Sequence, residues 1–174
     1  MTTPDGFMVR DVRPDDFEAL GELTVAAYAP MGSAAAPPGY HERLRDISAR
    51  LAASPVLVVV DAEGVVVAGC NYIPDRTCEL CEHDVEGAAS IRMLAVHPDV
   101  RGRGVAERLV NSCLDRARSE GMEEVVVHSP TPMAAARRLW VRLGFVSDPA
   151  LDEHPAADVH LHAYRLALHP ASGC

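Results

Sequence analysis

The sequence lacks several features that would assign it directly to a common class of protein. No apolar run approaches the ~20 residues that a membrane-spanning helix needs, so a transmembrane protein is not expected. Basic residues number 16 against 25 acidic ones, and the net charge of -9 argues against nucleic acid or anionic membrane as a partner. The five cysteines have no framework spacing, which excludes a disulfide-stapled secreted domain. The first residues also lack a basic region followed by an apolar one, and we therefore expect a cytoplasmic protein.

The composition is that of an ordinary globular chain. Of its 174 residues, 48% are apolar and 24% are charged, which predicts one domain over residues 1–174. Period-2 and β-branched patterns predict strands over residues 7–13, 56–60, 65–73, 90–96, 123–128 and 159–168. Helical spacing follows Pro14 and predicts further helices over residues 41–53, 105–120 and 132–143. The order predicts a mixed α+β sheet containing a parallel crossover, with loops over residues 30–39, where a lid is plausible, and 75–87.

A turn with the sequence Arg-Gly-Arg-Gly-Val-Ala covers residues 101–106, between a predicted strand and a predicted helix. Gly102 and Gly104 allow the backbone to approach a ligand closely. The first N–H groups of a helix have no intrahelical partner, and the helix dipole adds partial positive charge there. Arg101 and Arg103 contribute two permanent charges, so the turn predicts a diphosphate site. It matches neither the Gly-x-x-x-x-Gly-Lys-Ser/Thr of nucleoside triphosphate sites nor the three glycines of dinucleotide sites.

Three linked motifs at this point resemble the GNAT acetyltransferase superfamily. They are Ile91-Arg92-Met93-Leu94-Ala95-Val96-His97-Pro98, Arg101-x-x-Gly104-x-Ala106 and Ala136-x-x-Leu139-Trp140-x-x-Leu143-Gly144-Phe145. The sequence motifs match strongly over residues 90–146, and over the rest of the chain only the predicted order of strands and helices fits the family. It implies a GNAT-like α+β fold, with a mixed, mostly antiparallel, splayed central sheet flanked by helices.

The resemblance also implies an N-acetyltransferase that moves an acetyl group from acetyl-CoA to a primary amine of a small molecule or peptide. The residues implied to bind the cofactor are Leu94, Ala95, Val96, Arg101, Gly102, Arg103, Gly104, Val105 and Ala106. Leu94 and Val96 would offer backbone groups to the pantetheine arm where two strands splay apart. Backbone donors there would polarise the thioester carbonyl during attack by the amine.

The catalytic groups are harder to assign, because the sequence departs from the family pattern. Trp140 stands where many members carry a tyrosine that protonates the leaving thiolate, and an indole N–H donates a hydrogen bond but is not an acid. The residues that could protonate the leaving thiolate in place of that tyrosine are Tyr28, Tyr72 and Tyr164. The strand before the turn has no carboxylate to act as base, which leaves Glu79, Glu82, His83, Asp84 and His128 as candidates. The alternative function is therefore a catalytically impaired, CoA-binding regulatory module.

Cys78, Cys81 and His83 have a spacing that zinc can use, but a fourth ligand is not evident, so we favour a plain loop without metal. The other interpretation is that Cys78 and Cys81 form a reactive cysteine pair. The histidines near the C-terminus read as solvent-facing residues of an edge strand, namely His154, His160, His162 and His169.

The acceptor is expected to contact three loop segments, over residues 30–40, 75–87 and 147–159. The acidic balance of the whole chain weakly favours a cationic acceptor such as a polyamine. The sequence does not distinguish a monomer from a homodimer.

Overall fold

The computed structural model describes residues 6–31 and 38–168, and within these residues the chain forms eight strands and five α-helices. The strands are β1 (Met8–Asp11), β2 (Val56–Val60), β3 (Val66–Ile73), β4 (Ala88–Val96), β5 (Glu124–Pro130), β6 (Val146–Ser147), β7 (Glu153–Ala156) and β8 (Val159–Ala167). The helices are α1 (Phe17–Tyr28), α2 (Tyr40–Arg45), α3 (Ile47–Ala53), α4 (Val105–Ser119) and α5 (Ala134–Arg142). No helix in the described ranges has both the length and the apolar character needed to cross a membrane.

The strands form a single sheet in the order β1-β2-β3-β4-β5-β8-β6, and β7 pairs with β8. Every neighbouring pair is antiparallel except β4 and β5, which are joined through α4. A parallel pair requires a crossover connection, and an amphipathic helix supplies it here. The predicted mixed, mostly antiparallel sheet with one parallel crossover is therefore confirmed.

The sheet opens between β4 and β5. The two strands pair only at Ala88 with Glu124 and at Ala89 with Val125, although both continue well beyond these residues. On the other side of β4, the register with β3 shifts between Gly69 and Asn71. Met93 lies opposite this shift and has a φ of 55°, which is uncommon for a residue with a side chain. Such a bulge bends its strand, so β4 turns away from β5 and leaves a wedge-shaped gap.

The two faces of the sheet are covered by different helices. Alternate residues of β2 point to opposite sides: Leu57 and Val59 join the cluster that contains α4, whereas Val56, Val58 and Val60 join the cluster that contains α1. Helix α4 buries a continuous stripe, formed by Val105, Leu109, Val110, Cys113, Leu114 and Ala117. The core thus holds the turn before α4 and the gap beside β4 in fixed relative positions.

Two parts of the structure differ from the sequence prediction, and a third prediction cannot be compared. The helix predicted over residues 41–53 is two helices, because the side chain of Asp46 accepts a hydrogen bond from Ala49 N (2.9 Å) and starts a new helix. Strands β6 and β7 were not predicted, since both are exposed and neither has an apolar alternation. Most of the loop predicted over residues 30–39 lies outside the described residues, so the lid stays a prediction.

Candidate active site

Two cavities meet at the gap beside β4. The turn cavity, of about 610 Å³, is lined by the turn before α4 and by the start of α5. The gap cavity, of about 470 Å³, is lined by side chains from both sides of the gap, including Glu82, Arg92 and His128. Three residues line both cavities: Leu94, Met133 and Ala136. The two cavities are therefore adjacent and share a wall.

The turn cavity is built largely from backbone. Gly102 and Gly104 have φ values of 76° and 74°, a region that residues with a side chain rarely adopt. A Cβ atom added to either glycine would meet no heavy atom within 4 Å, so the space beside both is open. The first hydrogen bond of α4 runs from Arg108 N to Gly104 O (3.0 Å). The amides of Arg101 and Arg103 already donate to Pro98 O (3.2 Å) and Val100 O (3.3 Å), so the start of α4 is the part that can offer N–H donors to an anion.

The two arginines of the turn have different surroundings. Arg101 lines the turn cavity, as predicted. The guanidinium of Arg103 instead lies over the ring of Phe7, 4.6 Å from its centroid, and its backbone N–H donates to Val100 O (3.3 Å). Arg103 is absent from the lining of both cavities. Only one of the two predicted arginine charges is therefore placed for a diphosphate.

Most other residues implied to bind a cofactor are brought together. The turn cavity is lined by Leu94, Val96, Gly102, Gly104, Val105 and Ala106. The side chain of Ala95 is buried in the core on the α1 side of the sheet and does not reach the cavity.

Arg142 of α5 also lines the turn cavity and was not predicted from the sequence. Its spacing was the available signal: Ala135, Leu139 and Arg142 follow one another at i, i+4 and i+7, so they share one helix face.

An ion pair lies in the wall of the gap cavity. Arg92 Nη2 lies 2.5 Å from Glu82 Oε1, and Arg92 Nη1 donates to Leu80 O (2.9 Å). Two aromatic rings form the neighbouring wall, with Tyr28 and Tyr40 packed edge to face at 6.5 Å between centroids. The cavity wall thus combines an apolar aromatic surface with one ion pair, Arg92–Glu82.

His128 enters the gap cavity with a defined tautomer. Its Nε2 lies 2.8 Å from Leu151 O, and because a carbonyl oxygen only accepts, Nε2 carries the hydrogen. The lone pair is then on Nδ1, which is buried and has no hydrogen-bond partner within residues 6–31 and 38–168. Nδ1 is closed off from solvent in this structure, so it can accept a proton from a substrate in the cavity only after the side chains around it move.

Two more buried polar atoms without partners in the described chain lie in the same part of the molecule, namely His83 Nε2 and Ser90 Oγ. Burial lowers the pKa of His83, and the charge of His128 lowers it further. His83 Nδ1 accepts from Val85 N (3.2 Å), so this side chain is positioned by its own loop. His83 therefore stays uncharged at neutral pH.

The predicted acid candidates are placed less favourably. Trp140 lines the gap cavity, but its indole N–H donates to Ser129 Oγ (2.8 Å). Tyr28 also lines the cavity, and burial raises its pKa, which weakens it as an acid. Tyr72 donates to Glu120 Oε2 (2.7 Å) beside α4, and neither Tyr72 nor Tyr164 lines either cavity.

Cys78, Cys81 and His83 do not converge on a common point. Cys78 Sγ contacts Ala53 O at 3.6 Å, and Cys81 Sγ contacts His83 O at 3.3 Å. In the part of the chain that the structure describes, one group of three residues has potential metal-ligand atoms within 4.8 Å of one another. It consists of Asp152, His160 and His162. His160 Nε2 lies 2.5 Å from Asp152 Oδ2, which ties β8 to the segment before β7. His169 lies outside the described residues.

Comparison with known proteins identifies the family and agrees with the fold. A model of the acetyltransferase (GNAT) family matches residues 18–145, more than half of the chain. N-alpha-acetyltransferase 30 of Schizosaccharomyces pombe is 33% identical over 70 residues, which cover 38% of this chain and 47% of that protein. The L-methionine sulfoximine/L-methionine sulfone acetyltransferase of Pseudomonas paraeruginosa is 33% identical over 52% of this chain and 50% of that protein. The chain thus spans about half the length of these relatives. A GCN5-related N-acetyltransferase from Kribbella flavida has a similar structure, with a TM-score of 0.69 and 26% identity over 95% of this chain and 100% of that one.

Proposed function

The chain belongs to the acetyltransferase (GNAT) family, and from this premise we propose that it transfers an acetyl group from acetyl-CoA to a primary amine of a small molecule or peptide. The observation that carries the proposal is the shared wall of the two cavities at Leu94, Met133 and Ala136. The turn cavity offers the start of a helix and two arginines to an anion, and the gap cavity holds the carboxylate of Glu82 and the ring of His128, which can contact an amine. Acyl transfer requires that the two ligands meet.

The turn cavity fits the diphosphate of acetyl-CoA. The open space beside Gly102 and Gly104 admits phosphate oxygens close to the backbone, where the start of α4 supplies N–H donors. Arg101 and Arg142 add positive charge to the same cavity. When bound, acetyl-CoA supplies the activated acetyl thioester. The wall at Leu94 is where the edge of β4 is unpaired from β5, so backbone donors there can polarise a carbonyl group.

The gap cavity prepares the amine for attack. An amine in water at neutral pH is an ammonium ion and has to lose a proton before it can act as a nucleophile. Glu82 lies in the cavity wall and attracts the ammonium group. Binding of the substrate would have to expose His128 Nδ1, which then accepts one proton while Nε2–H stays bonded to Leu151 O and keeps the ring in place. We propose His128 as the general base.

The non-catalytic alternative rested on Trp140 and on the missing carboxylate of β4. His128 offers a base from β5 instead, which supports the enzyme over a CoA-binding module. Protonation of the thiolate is left to solvent, because the Trp140 N–H is held by Ser129. A location in the cytoplasm and one domain over the whole chain remain proposals from the sequence.

The proposal is tested by measuring thiol release from acetyl-CoA against a panel of amines, with CoA binding measured by calorimetry on the same sample. We expect binding of CoA and amine-dependent thiol release. Binding without thiol release for any amine would favour the regulatory module, and no CoA binding would contradict the assignment of the turn cavity.

A further inference from the structure

The charges around the gap cavity have the opposite sign to those of the protein as a whole. The chain carries a net charge of -9, yet the charged side chains that line this cavity are Arg43, Arg92 and one carboxylate, Glu82. The carboxylate is already paired with Arg92 at 2.5 Å. Positive charge is therefore in excess at the place where the acceptor binds.

Arg92 can hold a further ligand. A guanidinium has five N–H donors in one plane. Within the described residues, Arg92 uses Nη1 for Leu80 O and Nη2 for Glu82, so most of its donors are not engaged. The side chain is 19% exposed, and at this burial a hydrogen bond to an anion is stronger than in water.

A buried arginine behind the cavity adds to the excess. Arg50 is 3% exposed and bonds to three uncharged groups, Asn71 Oδ1 (2.7 Å), Thr24 Oγ1 (3.1 Å) and Leu44 O (2.9 Å). Its Nη2 has no partner in the described part of the chain. Its partner Asn71 lies opposite Arg92 in the pairing of β3 with β4, which places Arg50 beside this part of the sheet. Burial lowers the pKa of Arg50 to about 10. No carboxylate within the described chain neutralises Arg50.

These charges exclude one class of acceptor and favour another. A polyamine or aminoglycoside brings several positive charges and needs several carboxylates, whereas among the described residues Glu82 is the one carboxylate that lines this cavity. The net charge of the whole chain therefore does not indicate the charge of the acceptor. An acceptor that carries an anion beside its amine satisfies both members of the Glu82–Arg92 pair, with the ammonium at Glu82 and the anion at Arg92.

The remaining walls are apolar. Tyr28, Tyr40 and Trp140 contribute aromatic surface, and Pro155 and Leu161 close the cavity from the β7–β8 hairpin. The volume of about 470 Å³ is that of a small-molecule site. We infer that the acceptor is a small amino acid with a free carboxylate and an apolar side chain, an inference that rests on the proposed N-acetyltransferase function.

The test compares acceptors that differ only in the carboxylate. L-Methionine, L-methioninamide and spermidine are each assayed for thiol release from acetyl-CoA. We expect kcat/KM for the free acid to exceed that of the amide by about tenfold or more, the scale of one charge-assisted hydrogen bond. Spermidine is expected to be the poorest acceptor. An amide or spermidine used as well as the acid would overturn the inference while leaving the proposed function intact, whereas no thiol release with any amine would count against the function itself.

Substitutions of the two arginines that line the gap cavity test where the carboxylate of the acceptor binds. Arg92→Gln is expected to lower the acid-to-amide ratio to near one, with the KM for acetyl-CoA unchanged. Arg43→Gln changes an exposed residue at the same cavity, and it gives a smaller decrease without risk to folding. Arg76→Gln is the matched control, because Arg76 pairs with Asp84 and Glu86 on the neighbouring loop and lies outside both cavities. A ratio that survives both cavity variants would contradict the assigned carboxylate site.

Discussion

The turn cavity and the gap cavity are adjacent but are built in different ways. The turn cavity takes most of its anion-binding character from residues 101–106 and from backbone groups at the start of α4, and Arg142 of α5 adds one charge. The gap cavity takes its chemistry from side chains on separate elements, namely Tyr28, Tyr40, Glu82, Arg92, His128 and Trp140. A site made of contiguous backbone can be recognised in a sequence, whereas a site assembled from distant side chains requires the fold.

The two cavities should therefore respond differently to substitution. A backbone site tolerates side-chain changes unless they fill its space or alter its φ angles. A side-chain site fails when one ionisable group is replaced. The predictions below test this contrast, in order of decreasing expected effect.

His128→Gln is expected to lower kcat by about 10² to 10⁴-fold, the usual contribution of a general base, with little change in the KM for acetyl-CoA. Glutamine retains an N–H for Leu151 O but lacks the basic nitrogen. His41→Gln is the control, since His41 is exposed on α2 and lines neither cavity. Steady-state kinetics with both variants measures the effect. A His128→Gln enzyme with nearly full kcat would remove His128 from the mechanism.

Gly104→Ala is expected to raise the KM for acetyl-CoA by about tenfold, because a Cβ enters the space where phosphate oxygens approach the backbone. Gly121→Ala is a matched control at the other end of α4. Gly121 has a φ of 77° against 74° for Gly104, and a Cβ at either position meets no heavy atom within 4 Å. Both variants should lose about 1 kcal/mol of stability from backbone strain. Equal KM values for the two variants would show that the open space at Gly104 is not a ligand site.

Arg101→Gln is expected to raise the KM for acetyl-CoA by about three- to tenfold, the scale of one charged hydrogen bond at an exposed site. Arg103→Gln should change it by less than about twofold and should instead cost about 0.5–1 kcal/mol of stability, because Arg103 lies over Phe7. Kinetics and thermal unfolding of both variants separate the two roles. If the two arginines contribute equally to the KM, the side-chain placement at this turn is wrong.

His83→Gln is expected to change the pH dependence of stability more than the stability at neutral pH. Burial holds the folded pKa of His83 below its usual 6.5, so between the two values the unfolded chain binds a proton that the folded chain does not. The contribution of His83 is therefore present above about pH 6.5 and is lost as the pH falls. The variant should lose less stability than the wild type on acidification, as measured by thermal unfolding. An identical dependence would contradict the burial of this ring.

The sequence predicted the fold and the turn because their signals are local. The β2–β3 hairpin, α4 and the glycines of the turn each follow from neighbouring residues. The contact between Arg103 and Phe7 could not be predicted, since it joins residues at distant points of the chain. His128 was one candidate among five, because its tautomer depends on Leu151 O and its access depends on the splay of β4 from β5.

The central claim is that acetyl-CoA and the amine meet at the wall shared by the two cavities. A crystal structure of the protein with CoA and L-methionine tests it most directly. The account predicts the diphosphate against residues 101–106, the CoA sulfur beside Leu94, Met133 and Ala136, and the amine within hydrogen-bond distance of His128 Nδ1. A diphosphate bound elsewhere, or a sulfur separated from the gap cavity, would contradict it.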